Sequence, residues 1–156
     1  MAREREYPDT DAEARDLAER DRREGKSAST QAGEFVREEM HHVREGKHGA
    51  RSSKQAIAIG LSKARRAGVD LAPPKEGTAP EETIEAAERE TAAAPRRRRP
   101  NAKRSRATKK ALRREGRKAA SKSALARQAR SAARRRGARA RSQAAKKAAR
   151  TRTRRR

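Results

Sequence analysis

Large apolar side chains are scarce in this chain, and where they fall decides what can fold. Beyond Met1 there are fourteen: Tyr7, Leu17, Phe35, Val36, Met40, Val43, Ile57, Ile59, Leu61, Val69, Leu71, Ile84, Leu112 and Leu125, nine of them between residues 35 and 71. Charged residues make up 42% of the 156 positions and aromatic residues 1%, so the rest of the chain lacks the apolar surface that offsets the entropy of ordering. The expected fold class is therefore all-α and mostly disordered, with one small helical hairpin as its ordered part.

The hairpin is read from local signals. Ala32, Val36, Met40 and Val43 recur at helical spacing with Phe35 beside them, Glu34, Glu38 and Glu39 sit early in that stretch, and Gly46 follows it. This predicts a helix over about 30–45 with a left-handed glycine stop. Ser52 and Gln55 have capping-box spacing; Ile57, Leu61 and Ala64 share a face; Lys63, Arg65 and Arg66 crowd the end before Gly68, with Val69 placed to fold back. A second helix over about 53–67 results.

Two flanking helices are expected to be solvated. Over 11–24, Thr10 and Glu13 form a capping box, Ala14, Leu17 and Ala18 share one stripe and Gly25 is a stop, but Leu17 is the one large apolar side chain. Over 79–93, Thr78 and Glu81 have the same spacing, with Ile84 alone to bury. The organisation read from these signals is a charged helix (1–28), the hairpin module (29–74), an acidic linker and helix (75–95) and a disordered basic tail (96–156).

Charge divides as sharply as hydropathy. Residues 1–95 hold 17 Lys+Arg against 20 Asp+Glu, and residues 96–156 hold 28 against 1, giving the chain its net +24. Ala, Arg and Lys favour helix, but like charges at i,i+4, such as Lys110 with Arg114, oppose it in water. The tail is thus expected to be a coil that gains helix on binding, with breaks near Gly116 and Gly137.

Arg outnumbers Lys by 21 to 7 there, and guanidinium grips phosphate bidentately. The tail has no aromatic residue to stack on bases, and Asn101, Gln128 and Gln143 are its only amides. This composition points to backbone binding without sequence readout. The expected contacts are Arg96, Arg97, Arg98, Arg99, Lys103, Arg104, Lys109, Lys110, Arg113, Arg114, Arg117, Arg134, Arg135, Arg136, Lys146, Lys147, Arg154, Arg155 and Arg156.

The segment GKHGARSSK (46–54) offers Lys47, Arg51 and Lys54 ahead of a helix N-terminus, where free amides can cradle an accessory phosphate. Gly46-Lys47-His48-Gly49 has the G-x-x-G form of the loop with which K-homology domains clamp a nucleic-acid backbone, without the strands such a domain needs. An ordinary turn capped by Gly46 is the simpler reading.

His41 with Glu45, and Glu38 with His42, lie one helical turn apart. Such pairs are weak metal sites, and no Cys or further His completes a tetrahedral set, so a solvated helix face, no metal and no cofactor are expected. A two-helix hairpin offers no substrate pocket, so enzyme chemistry is not expected either. Cysteine is absent, which removes disulfides and thiolate sites. No apolar run is long enough for a signal sequence or a membrane span, and Leu112 and Leu125 are too few to insert the tail into a membrane.

Residues 24–74, and above all Lys54 to Arg65, resemble a family of small, uncharacterised bacterial proteins. Its hallmark is a basic residue followed by Gln-Ala-Ile-Ala-Ile-(Gly/Ala)-Leu-Ser-x-Ala-Arg. The resemblance implies a bacterial source and carries no activity. The tail is similar to the basic tails of linker histones and bacterial histone-like proteins, with more Arg and without repeated Lys-Pro steps. The expected function is sequence-nonspecific binding of duplex DNA by a non-enzymatic, nucleoid-associated protein of the cytoplasm. The rivals are an RNA or ribosome-associated factor, and a protein-interaction adaptor or homodimer working through 29–74. No membrane or small-molecule partner is expected.

Overall fold

The computed structural model describes residues 10–77, 79–93 and 101–153. Among them are seven α-helices: α1 (Asp11–Arg23), α2 (Ala28–Glu45), α3 (Ser53–Arg66), α4 (Glu81–Ala93), α5 (Ala102–Arg113), α6 (Lys122–Arg135) and α7 (Gly137–Thr153), with a 3-10 turn at Lys118–Ala120. They fall into two compact units divided between Ser121 and Lys122.

In the first unit each helix boundary has a local cause. Thr10 accepts a hydrogen bond from the Glu13 amide and opens α1; Ser52 accepts from the Gln55 amide and opens α3. Gly46 takes φ 79° after α2, and the Lys47 amide reaches back to the His42 carbonyl at 3.0 Å. After α3, Gly68 lets the Val69 amide return to Ala64 O at 3.0 Å, burying the Val69 side chain.

The core keeps the expected stripe of α2, with Ala32, Phe35, Met40 and Val43 buried and Val36 half-buried, but departs from expectation in the small residues that meet it. One cluster gathers Ala14, Ala18, Ala32, Phe35, Ala64 and Val69, joined at the margin by Ala28, Leu61, Ala67 and Leu71. On α3 the buried stripe is Ser53, Ala56, Gly60 and Ala64, while Ile57, Ile59 and Leu61 are half-buried. Small side chains let the helices approach until backbone meets backbone: a Cβ on Gly60 would stand 2.7 Å from Val36 Cα.

The mostly disordered fold class is therefore overturned: the described residues form a packed all-α structure. The solvated reading of the flanking helices falls with it. Helix α1 packs on α2 through Ala14 and Ala18 and buries Asp21, which Lys26 meets at 2.6 Å. Helix α4 packs on α3, with Ala87 buried and Ser62 hydrogen-bonded to Glu90. Thr78, half of the expected second capping box, lies outside the described residues; Pro80 O receives the Thr83 and Ile84 amides instead. Alanine supplied the buried surface that a count of large side chains leaves out, and close-packed small residues gain dispersion contacts along the whole helix.

The tail is corrected in the same way: α5, α6 and α7 are helices, not coil. Asn101 caps α5, its side chain accepting from the Lys103 and Arg104 amides. Cation repulsion at i,i+4 costs only a few tenths of a kcal/mol per pair when the side chains splay into water, and alanine's propensity outweighs it. The interruptions fall at 114–121 and at Gly137, which takes φ 72°.

Candidate nucleic-acid interface

The basic segment is not a free appendage from its first residue. Its stretch 112–121 is seated on the loop between α2 and α3 by backbone groups. The Gly49 amide donates to Leu112 O at 2.8 Å and the Ala50 amide to Gly116 O at 3.1 Å. Ser53 Oγ donates to Ala119 O at 2.5 Å, Arg44 Nε to Ala120 O at 3.0 Å, and Ala119 and Ala120 are buried. Gly49 is obligatory here, since a Cβ at that position would lie 1.8 Å from Glu115 O.

This seating decides the fate of the loop proposed to cradle a phosphate. Two amides expected to be free are already donated to carbonyls of 112–116. Lys47 Nζ lies 3.2 Å from Glu45 and Arg51 Nε 3.7 Å from Glu115, while Lys54 is exposed on the first turn of α3. Gly46 does serve as the helix stop.

On either side of the seated stretch in sequence the cations form rows. On α5, Lys103, Arg106, Lys110 and Arg113 follow one another at i, i+3, i+7 and i+10; on α6, Arg127, Arg130 and Arg134 do the same at i, i+3 and i+7. On α7, Arg139, Lys146 and Arg150 share a face. Each row advances about 5.4 Å per turn, and all these residues are exposed. Of the expected contacts, Lys103, Arg104, Lys109, Lys110, Arg113, Arg114, Arg117, Arg134, Arg135, Arg136, Lys146 and Lys147 are exposed too. Arg117 also lies against Gly46 and the Arg44 carbonyl. Arg96–Arg99 and Arg154–Arg156 lie outside the described residues. The one carboxylate of 96–156, Glu115, faces Arg51, so the rows have no acidic side chain of their own segment to neutralise them.

A second charged feature is buried, and sequence reasoning missed it. Glu38 and Glu39, in the middle of α2, have fully enclosed side chains. Lys63 of α3 reaches both, at 3.2 Å from Glu38 Oε1 and 3.1 Å from Glu39 Oε2, and also Asp11 of α1 at 2.9 Å. Burial pushes Glu38 up to about 7 against the pull of Lys63. The folded chain thus keeps a proton that the unfolded chain releases above the ordinary carboxylate range, and this group disfavours folding progressively as pH climbs toward 7. Burial acts on Asp11 in the same sense, but the hydrogen bond and charge of Lys63 prevail and hold it below its usual value. Burial would lower Lys63; its three carboxylate neighbours hold it raised.

Two of the three histidines, His42 and His48, belong to this cluster and are not part of a solvated face. His42 Nδ1 is 3.7 Å from Glu38 Oε1, with the ring 15% exposed, and His48 Nε2 is 3.3 Å from Glu39 Oε1, with the ring 18% exposed. His41 alone points to the outer side, 2.8 Å from Glu45. The α2–α3 loop carries His48 back over α2, a return that helical spacing along α2 does not announce.

Over residues 23–76 the chain matches the model of a family of unknown function, DUF6496. That span runs from the end of α1 past α3 and so holds the hairpin, the seating loop and the Glu39–His48 pair. No curated protein and no solved structure matches the chain. No described helix is long and apolar enough to cross a membrane.

Proposed function

We propose that the protein is a non-enzymatic, sequence-nonspecific nucleic-acid-binding protein of histone-like character that grips the phosphate backbone of duplex DNA through the cationic rows of α5, α6 and α7. The observation that carries this reading is the excess of positive charge: 28 cations stand against the single acidic side chain of Glu115 in residues 96–156, and Arg51 lies beside Glu115. Arg-rich rows at one-turn spacing suit bidentate contacts to successive phosphates. The near-absence of aromatic and amide side chains from the rows leaves little means of reading bases. The hairpin's part is to hold the basic segment where α5 ends, through the seated residues 112–121.

The test is binding of the full chain to a random-sequence duplex across a salt series. With about ten cations engaged, log K should fall with log[salt] at a slope of roughly −9, and replacing Arg127, Arg130 and Arg134 together by Gln should make the slope shallower by about 2.7. A shallow slope in the parent chain, or one indifferent to the triple replacement, overturns the reading. Tighter binding of structured RNA than of duplex DNA at matched salt replaces DNA by RNA as the partner.

A further inference from the structure

We propose that Glu39, His42 and His48 form a binding site for one divalent transition metal ion of the zinc type, with two imidazole nitrogens and one carboxylate oxygen as ligands. One ligand atom from each residue lies within 4.8 Å of the other two. The site shares no residue with the cationic rows and does not depend on what they bind.

Proton accounting at His48 makes the case. Its Nδ1 is 3.1 Å from the Gly49 carbonyl oxygen, which can only accept, so Nδ1 carries the ring proton. In the neutral ring Nε2 is then a lone pair, and it faces Glu39 Oε1 at 3.3 Å. That oxygen is buried and receives no hydrogen bond. Two lone pairs facing each other out of water are a conflict that a cation between them removes. Ligands about 2.0–2.2 Å from a tetrahedral zinc stand about 3.4 Å apart, close to this separation. The Gly49 carbonyl is in the position of the outer-shell acceptor that fixes the tautomer of a metal-bound imidazole.

Charge agrees with the geometry. Asp11, Glu38 and Glu39 bring three carboxyl groups to the one ammonium of Lys63, and a divalent ion adds positive charge where carboxyl groups are in excess. Lys63 engages Oε2 of Glu39, leaving Oε1 for the metal, while Glu38 contacts the His42 ring and can orient it. A nitrogen-and-oxygen donor set without thiolate favours zinc, cobalt or nickel over copper(I), and its imidazoles disfavour calcium and magnesium. Such an ion would clamp the loop at His48 to α2, directly beside the Gly49 and Ala50 amides that seat residues 112–116.

The rival occupant is a proton, making His48 an imidazolium paired with Glu39. Full-length protein freed of nucleic acid and metal is titrated calorimetrically with Zn²⁺ above neutral pH. The result expected is one equivalent bound at micromolar affinity or better. His48→Gln and His42→Gln should each weaken it at least tenfold, while His41→Gln leaves it unchanged because His41 faces Glu45 outside the cluster. Circular dichroism of the metal-free variants separates a lost ligand from a lost fold. Should either variant fail to fold, X-ray absorption of the zinc-loaded parent chain decides the matter by showing or not showing two imidazoles on the metal. Absence of stoichiometric binding, equal affinity in the folded His42→Gln/His48→Gln double variant, or a spectrum without two imidazoles overturns the proposal in favour of the proton.

Discussion

Helices α3 and α6 are each fourteen residues long, both contain several alanines and both end in paired arginines, yet they lead opposite lives. SKQAIAIGLSKARR buries five residues, Ser53, Ala56, Gly60, Ala64 and Arg65; KSALARQARSAARR buries none. The difference lies less in how many apolar residues each has than in what faces them. The small stripe of α3 meets the backbone of α2 at Val36. In α6 the corresponding turns carry Arg127, Arg130 and Arg134 on the outside, with Ala132 and Ala133 only half-covered. Alanine becomes core when a partner helix can come close enough to touch it, and remains mere helix-forming surface when none does.

That contrast can be broken hardest at its one aromatic anchor. Phe35 is 1% exposed at the centre of the first unit, and Phe35→Ala should cost about 3–5 kcal/mol, read by chemical denaturation followed at the helical signal. Next is Gly49→Ala, whose new methyl collides with the Glu115 carbonyl. It should cost about 1–3 kcal/mol and, more tellingly, speed hydrogen exchange at Ala50 as residues 112–116 lift away. Ser53→Ala removes the buried hydrogen bond to Ala119 O and should cost about 1 kcal/mol, with the same exchange signature in weaker form. At the other pole, Arg130→Gln in α6 should change stability by less than about 0.5 kcal/mol while measurably lowering the salt dependence of DNA binding. If Arg130→Gln proved as damaging to stability as Ser53→Ala, α6 would have a packed face after all and the contrast would fail.

How much of this was legible follows from the range over which each signal acts. Ser52 with Gln55, Gly46, and Gly68 with Val69 mark the ends of the hairpin helices because caps are made by residues within one turn of each other. The face of α3 was only partly read: Ala64 stands on the expected face, but isoleucine and leucine draw attention away from Ser53, Ala56 and Gly60, whose importance exists only in the presence of their packing partners. Ala14 and Ala18 of α1 stand on one stripe with Leu17, but that the stripe is core and not a solvated face depends on α2 in the same way. The seating of 112–121 uses the carbonyls of Leu112, Gly116, Ala119 and Ala120, groups every residue possesses, so no side-chain pattern announces it. Gly49, Ser53, Arg44 and the lone Glu115 are its sequence traces. The histidine cluster was half-visible: Glu38 with His42 is a helical spacing, whereas Glu39 with His48 requires knowing where a turn sends the chain.

The pairing of Gly49 with Leu112 also turns the intervening sixty or so residues into a closed ring, pinned where the hairpin loop meets the basic segment. Closing a ring becomes costlier only logarithmically with its circumference, by about 0.6 kcal/mol per doubling. The link between Leu71 and α4 is therefore free to lengthen or shorten in related chains, whereas Gly49, Ser53 and the small residues they receive are not. Drift in length should gather in that link, and the seam that closes the ring should stay fixed.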